Sequence, residues 1–233
     1  MSFFNEKEKT LYRQMKPLRK IRFILGKLKR RLALYLTRTL PFLKPVHETR
    51  SHNKPITIEM WFAQKILGIN RHVYWPVHFT SVVVYPQNVY AGIDTSPGYS
   101  HGCYIQAIGK VYIDDYTSIG PNVGIISSNH EILDFRKHKI GQIKIGKYCW
   151  IGMNSVILPD VTLGDFTTVM AGSVVNTSFP EGYCVIGGNP AKLLKQFPEE
   201  SKHLFTRYSH DVSYNGYIRS DKFEAYRKKK LRI

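Results

Sequence analysis

The chain has 233 residues, of which 43% are hydrophobic and 13% aromatic, enough to bury a core and too apolar for a disordered chain. Its formal charge of +17 directs it toward anionic partners, and its three cysteines, Cys103, Cys149 and Cys184, are too few and too scattered for a disulfide framework or a zinc cluster. They fit reduced thiols in a cytoplasmic protein, and neither a transmembrane run of about 18 apolar residues nor a secretory leader stands out.

The charge is unevenly spread. Residues 1–50 carry 14 Lys/Arg against 3 Glu, a net of +11, and the remaining residues carry the other +6. Within residues 10–44, Leu18, Ile21, Leu25, Leu28, Leu32 and Tyr35 recur at spacings of three and four. Arg19, Lys20, Arg22, Lys27, Lys29, Arg30 and Arg31 fill the other positions. This predicts a basic amphipathic helix over residues 10–44, with Pro17 suited to a helix start and Pro41 and Pro45 to its end. Two uses compete: lying on an anionic membrane surface, or packing on the protein or a sister subunit. A nucleic-acid arm would need a stacking-aromatic or recognition-helix pattern, and none is present, so no nucleic-acid partner is expected. A second, short helix is expected from Thr57 to Leu67. Residues 1–75 thus read as a helical N-terminal region.

From about Val82 the composition turns to β-branched residues, Gly, Tyr and Pro. Aliphatics then recur every six residues: Ile113, Ile119 and Ile125, and again Ile145, Ile151, Ile157, Leu163, Val169 and Val175. Small or medium residues sit four places after them at Thr117, Val123, Cys149, Ser155, Val161, Thr167 and Ser173. A period of six predicts a β-helix, with three hexads per triangular coil and residues 18 apart in register, so that Ile145 lies under Leu163. Gly or Asp directly after the aliphatic, as at Gly120, Gly146, Gly152, Gly164 and Asp114, suggests corners with unusual backbone angles. Cys149 takes a packed corner position. A β-sandwich with coincidental spacing would not sustain six hexads in register.

The rhythm breaks after Ser127-Ser-Asn-His130 and resumes at Ile145. A regular β-helix is smooth, so an excursion over 131–142 supplies the wall of a site, with His130 at its base. Histidine accepts a proton near neutrality, since imidazole ordinarily titrates near pH 6.5. Glu131 or Asp134 could orient the ring. Residues 190–233 are expected to add a helical C-terminal extension of one or two helices.

The hexads, the histidine opening an excursion, Trp150-Ile-Gly and the closing VIGGNPAK (Val185 to Lys192) together resemble the hexapeptide-repeat acyltransferases. They are most similar to the branch of sugar and antibiotic O-acetyltransferases that includes the maltose and galactoside enzymes. The resemblance covers roughly residues 82–195. It implies a mainly β protein built on a left-handed parallel β-helix at 76–189, an exception to right-handed crossover. It also implies a homotrimer with active sites between neighbouring subunits, and acetyl-CoA as acyl donor. By the same resemblance His130 is the general base of a direct transfer and the backbone N–H of Met153 stabilises the oxyanion. Ala171 and Trp150 border pantetheine, and Lys192 and Lys195 meet the nucleotide phosphates. Where those enzymes carry a sugar-binding asparagine the matching position here is Ser100, so a different acceptor pocket is expected, lined by Asp94, Tyr99 and Ser100. No metal is expected. With the basic helix, the expected activity is O-acetylation of a surface-glycan precursor in polysaccharide biosynthesis, in the cytoplasm and peripherally on the inner face of the membrane. Two alternatives remain open: an acetyltransferase for a small soluble acceptor such as an amino acid or antibiotic, and a non-catalytic β-helix assembly protein.

Overall fold

The computed structural model describes residue 7 and residues 17–233. Residues 10–16 of the expected basic helix lie outside the described residues. The chain forms two compact units, Met1–His47 and Glu48–Ile233.

In the first unit, helix α1 (Pro17–Thr39) is 23 residues long, about 35 Å at 1.5 Å per residue. It is followed by a 3-10 turn at Pro41–Leu43 and by α2 (Lys44–Glu48), which crosses into the second unit. The apolar stripe exists as read: Leu18, Ile21, Leu25, Leu28, Leu32 and Tyr35 are each more than half exposed. Among the described residues no helix is long and apolar enough to cross a membrane.

The second unit opens with α3 (Ile58–Lys65), two residues shorter at its C-terminal end than expected. Thr57 caps it, its hydroxyl accepting the Met60 N–H at 3.2 Å. The β-helix follows. Its three faces are parallel sheets. The first contains Val82–Val84, Tyr104–Gln106, Gly124–Ile126, Val156–Ile157 and Val174–Val175. The second contains Ser118–Ile119, Trp150–Ile151, Thr168–Val169 and Cys184–Gly188, and the third Val89–Ala91, Val111–Ile113, Ile143–Ile145 and Thr162–Leu163. The 18-residue register holds: Ile145 pairs with Leu163, Ile151 with Val169 and Ile157 with Val175. Across the excursion Ile119 pairs with Ile151 and Ile125 with Ile157, so the inserted residues leave the stack in step.

The core is the column of inward aliphatics. Ile105, Ile125 and Ile157 are fully buried one above another, as are Ile113, Ile145 and Leu163. Each contributes about 1.5–3 kcal/mol on burial. Val73, Trp75 and Val77 close the first coil. The Trp75 indole donates to the Pro97 carbonyl at 2.7 Å.

Left-handed backbone occurs three places after the aliphatic, at Tyr116, Asn122, Tyr148, Asn154, Asp160 and Phe166. The glycines directly after it have ordinary φ, contrary to the expectation, and are small for another reason. A Cβ on Gly152 would sit 2.5 Å from the Ala171 nitrogen, and one on Gly120 would sit 2.8 Å from that of Met153. Coils approach too closely there for any side chain.

The C-terminal segment departs most from expectation. Residues 191–196 form a strand that turns back antiparallel on Cys184–Gly188. A 3-10 stretch at Glu199–Leu204, a hairpin of Tyr214–Asn215 with Ile218–Arg219, and one helix, α4 (Ser220–Lys230), follow. The pairing edge offered by the last coil overrides helical preference at 191–196. Phe223 of α4 packs into the core cluster with Tyr90 and Tyr226 beside it.

Candidate active site

The three corners of the triangular coil carry three different structures. Where the first sheet passes to the third, the chain makes the excursion expected of it, as an antiparallel hairpin of Ser128–His130 with His138–Ile140. Where the second passes to the first, a groove runs past Pro121, Trp150, Met153, Met170 and Ala171. Where the third passes to the second, Tyr116, Tyr148, Phe166 and Tyr183 stack in a ladder with centroids 4.8–5.0 Å apart.

In the hairpin, the turn 131–137 bends back so that His130 Nδ1 lies 2.6 Å from the Phe135 carbonyl oxygen. A carbonyl only accepts, so Nδ1 carries the proton and the Nε2 lone pair is available. The ring is exposed. His138, directly opposite in register, places its ring 4.4 Å from that of His130, and its Nδ1 is 3.2 Å from the Ser128 hydroxyl. The expected carboxylate orienter is replaced by the Phe135 carbonyl. Asp134 is occupied instead by the Arg136 guanidinium at 2.9 Å, which holds its carboxyl below the usual carboxylate range. Ile132, Leu133 and Phe135 at the tip are 73–98% exposed.

The groove has a volume of about 350 Å³ and brings together three of the expected donor-site residues, Trp150, Met153 and Ala171. Among the described residues, no hydrogen bond is made by the backbone N–H of Met153 or of Ala171. Both are therefore free donors at the groove; the equivalent position in the coil below is Pro121, which has no N–H. Lys192 and Lys195 lie on the strand that extends the same sheet, and both are exposed. That strand is three pairings beyond the Trp150 strand, about 14 Å at the usual spacing. Lys195 Nζ sits 4.5 Å above the Phe197 ring.

One chain does not bring His130 and this groove together, because they stand at different corners. The expected acceptor residues are not an open pocket either. The Asp94 side chain has no exposed area. Its carboxylate accepts the N–H groups of Asn53 and Lys54 at 2.8 Å each and pairs with His210 Nε2 at 2.8 Å. Tyr99 donates to the Pro55 carbonyl at 2.9 Å and Ser100 to the Ile119 carbonyl at 2.7 Å. All three hold the first coil to its neighbours.

The side-chain atoms of His52, Asp94 and His210 lie within 4.8 Å of one another, the one such trio among the described residues. The two imidazoles are stacked, centroids 3.8 Å apart and 15° from parallel. Lone pairs in parallel planes do not converge on one ion, and His52 Nε2 already donates to the Val212 carbonyl at 2.9 Å. The trio is a hydrogen-bonded latch that fastens the C-terminal segment to the first coil. Burial pushes the Cys149 thiol up to about 12 and raises those of Cys103 and Cys184, so none supplies a thiolate nucleophile.

A triangular stack of parallel strands with a hairpin thrown from one corner defines a parallel β-helix protein, left-handed like the solved structures it resembles. Residues 142–177 match the family described as bacterial transferase hexapeptide (six repeats). The galactoside O-acetyltransferase of Escherichia coli K12 is 28% identical over 171 residues, covering 68% of this chain and 76% of that one. The putative lipopolysaccharide biosynthesis O-acetyl transferase WbbJ of the same organism is 33% identical over 112 residues, 42% of this chain and 57% of that one. Among solved structures, a galactoside acetyltransferase in complex with coenzyme A is 26% identical with a TM-score of 0.50, covering 58% of this chain and 68% of that one. Over residues 142–177 the chain is similar to the hexapeptide-repeat transferases, and over a longer stretch to their sugar O-acetyltransferase branch. It spans about half the length of several of the curated relatives it matches.

Proposed function

We propose that the chain is an acetyl-CoA-dependent O-acetyltransferase that transfers acetyl to a sugar hydroxyl of a surface-glycan precursor. The observation that carries this reading is the fixed tautomer of His130: Nδ1–H held by the Phe135 carbonyl, Nε2 open to solvent. Nε2 takes the proton of the acceptor hydroxyl as that oxygen attacks the thioester carbonyl. The free Met153 N–H donates to the oxyanion, where a preorganised donor is worth most. The tetrahedral intermediate collapses, the C–S bond breaks, and the imidazolium returns its proton to the leaving thiolate. The products are the acetyl ester and the free thiol, with no covalent enzyme intermediate.

Acetyl-CoA lies along the groove, its pantetheine past Trp150, Met170 and Ala171 and its phosphates toward Lys192 and Lys195. The separation of His130 from the groove in one chain supports a homotrimer in which the hairpin of one subunit serves the groove of the next. The likeness to galactoside and lipopolysaccharide O-acetyltransferases supports a sugar acceptor. The exposed apolar stripe and basic positions of α1 support peripheral attachment to the anionic inner face of the cell membrane.

Replacing His130 by Ala tests the base. Turnover of acetyl-CoA with an isolated glycan precursor should fall by about 10²–10⁴-fold while the fold and oligomer persist. Near wild-type turnover in a folded variant removes His130 from the chemistry.

A further inference from the structure

Away from both the hairpin and the groove, two adjoining hollows of about 230 Å³ each lie at the N-terminal end of the β-helix. They share His72, Tyr74 and Tyr226. Lys65, the last residue of α3, and Arg71 line the first hollow, and Lys230 lines the second. No Asp or Glu lines either one.

The two cations of the first hollow share it without a counterion. Among the described residues neither the Lys65 nor the Arg71 side chain is in a salt bridge or a hydrogen bond. Lys65 is held in place nonetheless. Its Nζ lies 4.1 Å above the Tyr217 ring, and the Tyr217 hydroxyl donates to Gln64 Oε1 at 2.7 Å. Gln64 has no exposed area and is fixed by the Trp75 carbonyl and the Val77 N–H at 3.0 Å each. Burial and the neighbouring Arg71 charge push the Lys65 ammonium below its ordinary pKa. Holding the partly buried Lys65 ammonium beside the exposed Arg71 charge costs free energy that an anion would offset. One further donor faces the same space unspent. The Tyr226 hydroxyl makes no hydrogen bond among the described residues, whereas the His72 Nε2–H is spent on the Val83 carbonyl at 3.1 Å.

We propose that this hollow binds the phosphomonoester of a phosphorylated ligand, with Lys65 and Arg71 matching its two charges and the Tyr226 hydroxyl donating a further hydrogen bond. A monoester dianion fits better than a diester because two cations face one small space. Arg71 supplies the planar fork, and Lys65 a point charge on an aromatic platform. The site is separate from the donor groove and does not depend on the acetyltransferase reading.

The test uses the full chain and inorganic phosphate at pH 8 and low ionic strength. Calorimetric titration should give saturable one-to-one binding. Replacing Lys65 and Arg71 together by Met, which keeps their stems, should weaken it at least about tenfold while acetyl-CoA affinity is unchanged. In the wild-type chain, phosphate should slow hydrogen–deuterium exchange at 65–74 and 217–226, a readout that needs no variant. No phosphate binding by the wild type, or no protection in those segments, overturns the proposal. So does equal affinity in the folded double variant, or a parallel loss of acetyl-CoA affinity, which would assign the pair to the donor groove. Vesicles of phosphatidic acid and of phosphatidylglycerol, matched in charge, separate the sources. A preference for phosphatidic acid that the double variant loses supports a lipid phosphate. Equal binding to both, beside retained inorganic phosphate binding, supports a soluble one.

Discussion

At the scale of single residues, small changes of environment decide roles that residue type leaves open. Nine histidines occur in the chain. His130 is distinguished by the carbonyl on its Nδ1 and the open Nε2, whereas His52 is buried at 7% exposure and stacked on His210. Burial pushes His52 below the ordinary imidazole value, with the nearby His210 adding to the shift and the Val212 carbonyl and Asp94 opposing it. Because its folded pKa is depressed, the unfolded chain binds the proton more readily. The latch's contribution to stability is therefore complete above about pH 6.5 and is lost as pH falls through the unfolded value toward the lower folded one. Thermal melting between pH 8 and pH 5 should show this loss, and His52→Gln, which keeps a donor for the Val212 carbonyl, should flatten it. An identical acid slope in the variant would clear His52 of responsibility. The position of His130 was legible because it interrupts a strict period. Its orienting partner was not, because a main-chain carbonyl leaves no mark on side-chain identity. Asp94 shows the opposite failure. A carboxylate near a candidate pocket read as a ligand for substrate, and the fold spends it on two backbone N–H groups and His210.

Among the elements, legibility follows the density of the repeat. The hexads from Ile145 to Val175 specify register unaided, since each inward aliphatic has one place to go and each pairing follows 18 residues later. The segment 191–196 carries no such period, and only the exposed edge of Cys184–Gly188 makes it a strand. This strand puts Lys192 and Lys195 at the far end of the sheet that holds Trp150. Lys192→Ala and Lys195→Ala should therefore raise the KM for acetyl-CoA far more than they lower kcat. With a truncated pantetheine thioester lacking the nucleotide, the same variants should match the wild type; an equal defect with both donors would give the lysines another task. Helix α1 was legible from its stripe of three and four, but periodicity does not say what covers the stripe. If the cover is anionic lipid, deleting residues 1–44 should abolish sedimentation with anionic vesicles and spare acetyl-CoA binding, and high salt should release the full chain. Loss of thermal stability or of the oligomer on deletion, with no vesicle binding by the intact chain, would place the helix against protein instead.

For the whole molecule, the triangular section bears on the proposed site between subunits. The hairpin bearing His130 and the groove bearing Met153 leave different corners, so a sister chain set beside the first can lay its groove against the hairpin. This predicts complementation. A chain with His130→Ala retains an intact groove, and a chain with Ala171→Trp, which fills the groove, retains an intact His130. Each alone should form trimers of nearly no activity. Unfolded together in equal amounts and refolded, they should form mixed trimers in which about a quarter of the sites pair an intact hairpin with an intact groove, as random cyclic assembly requires. Acetyl transfer should recover to about that fraction of wild type, and it should not recover when separately refolded trimers are mixed and assayed at once. If co-refolding restores nothing while mixed trimers are demonstrated by mass, hairpin and groove must serve one another within a chain, and the site between subunits is wrong.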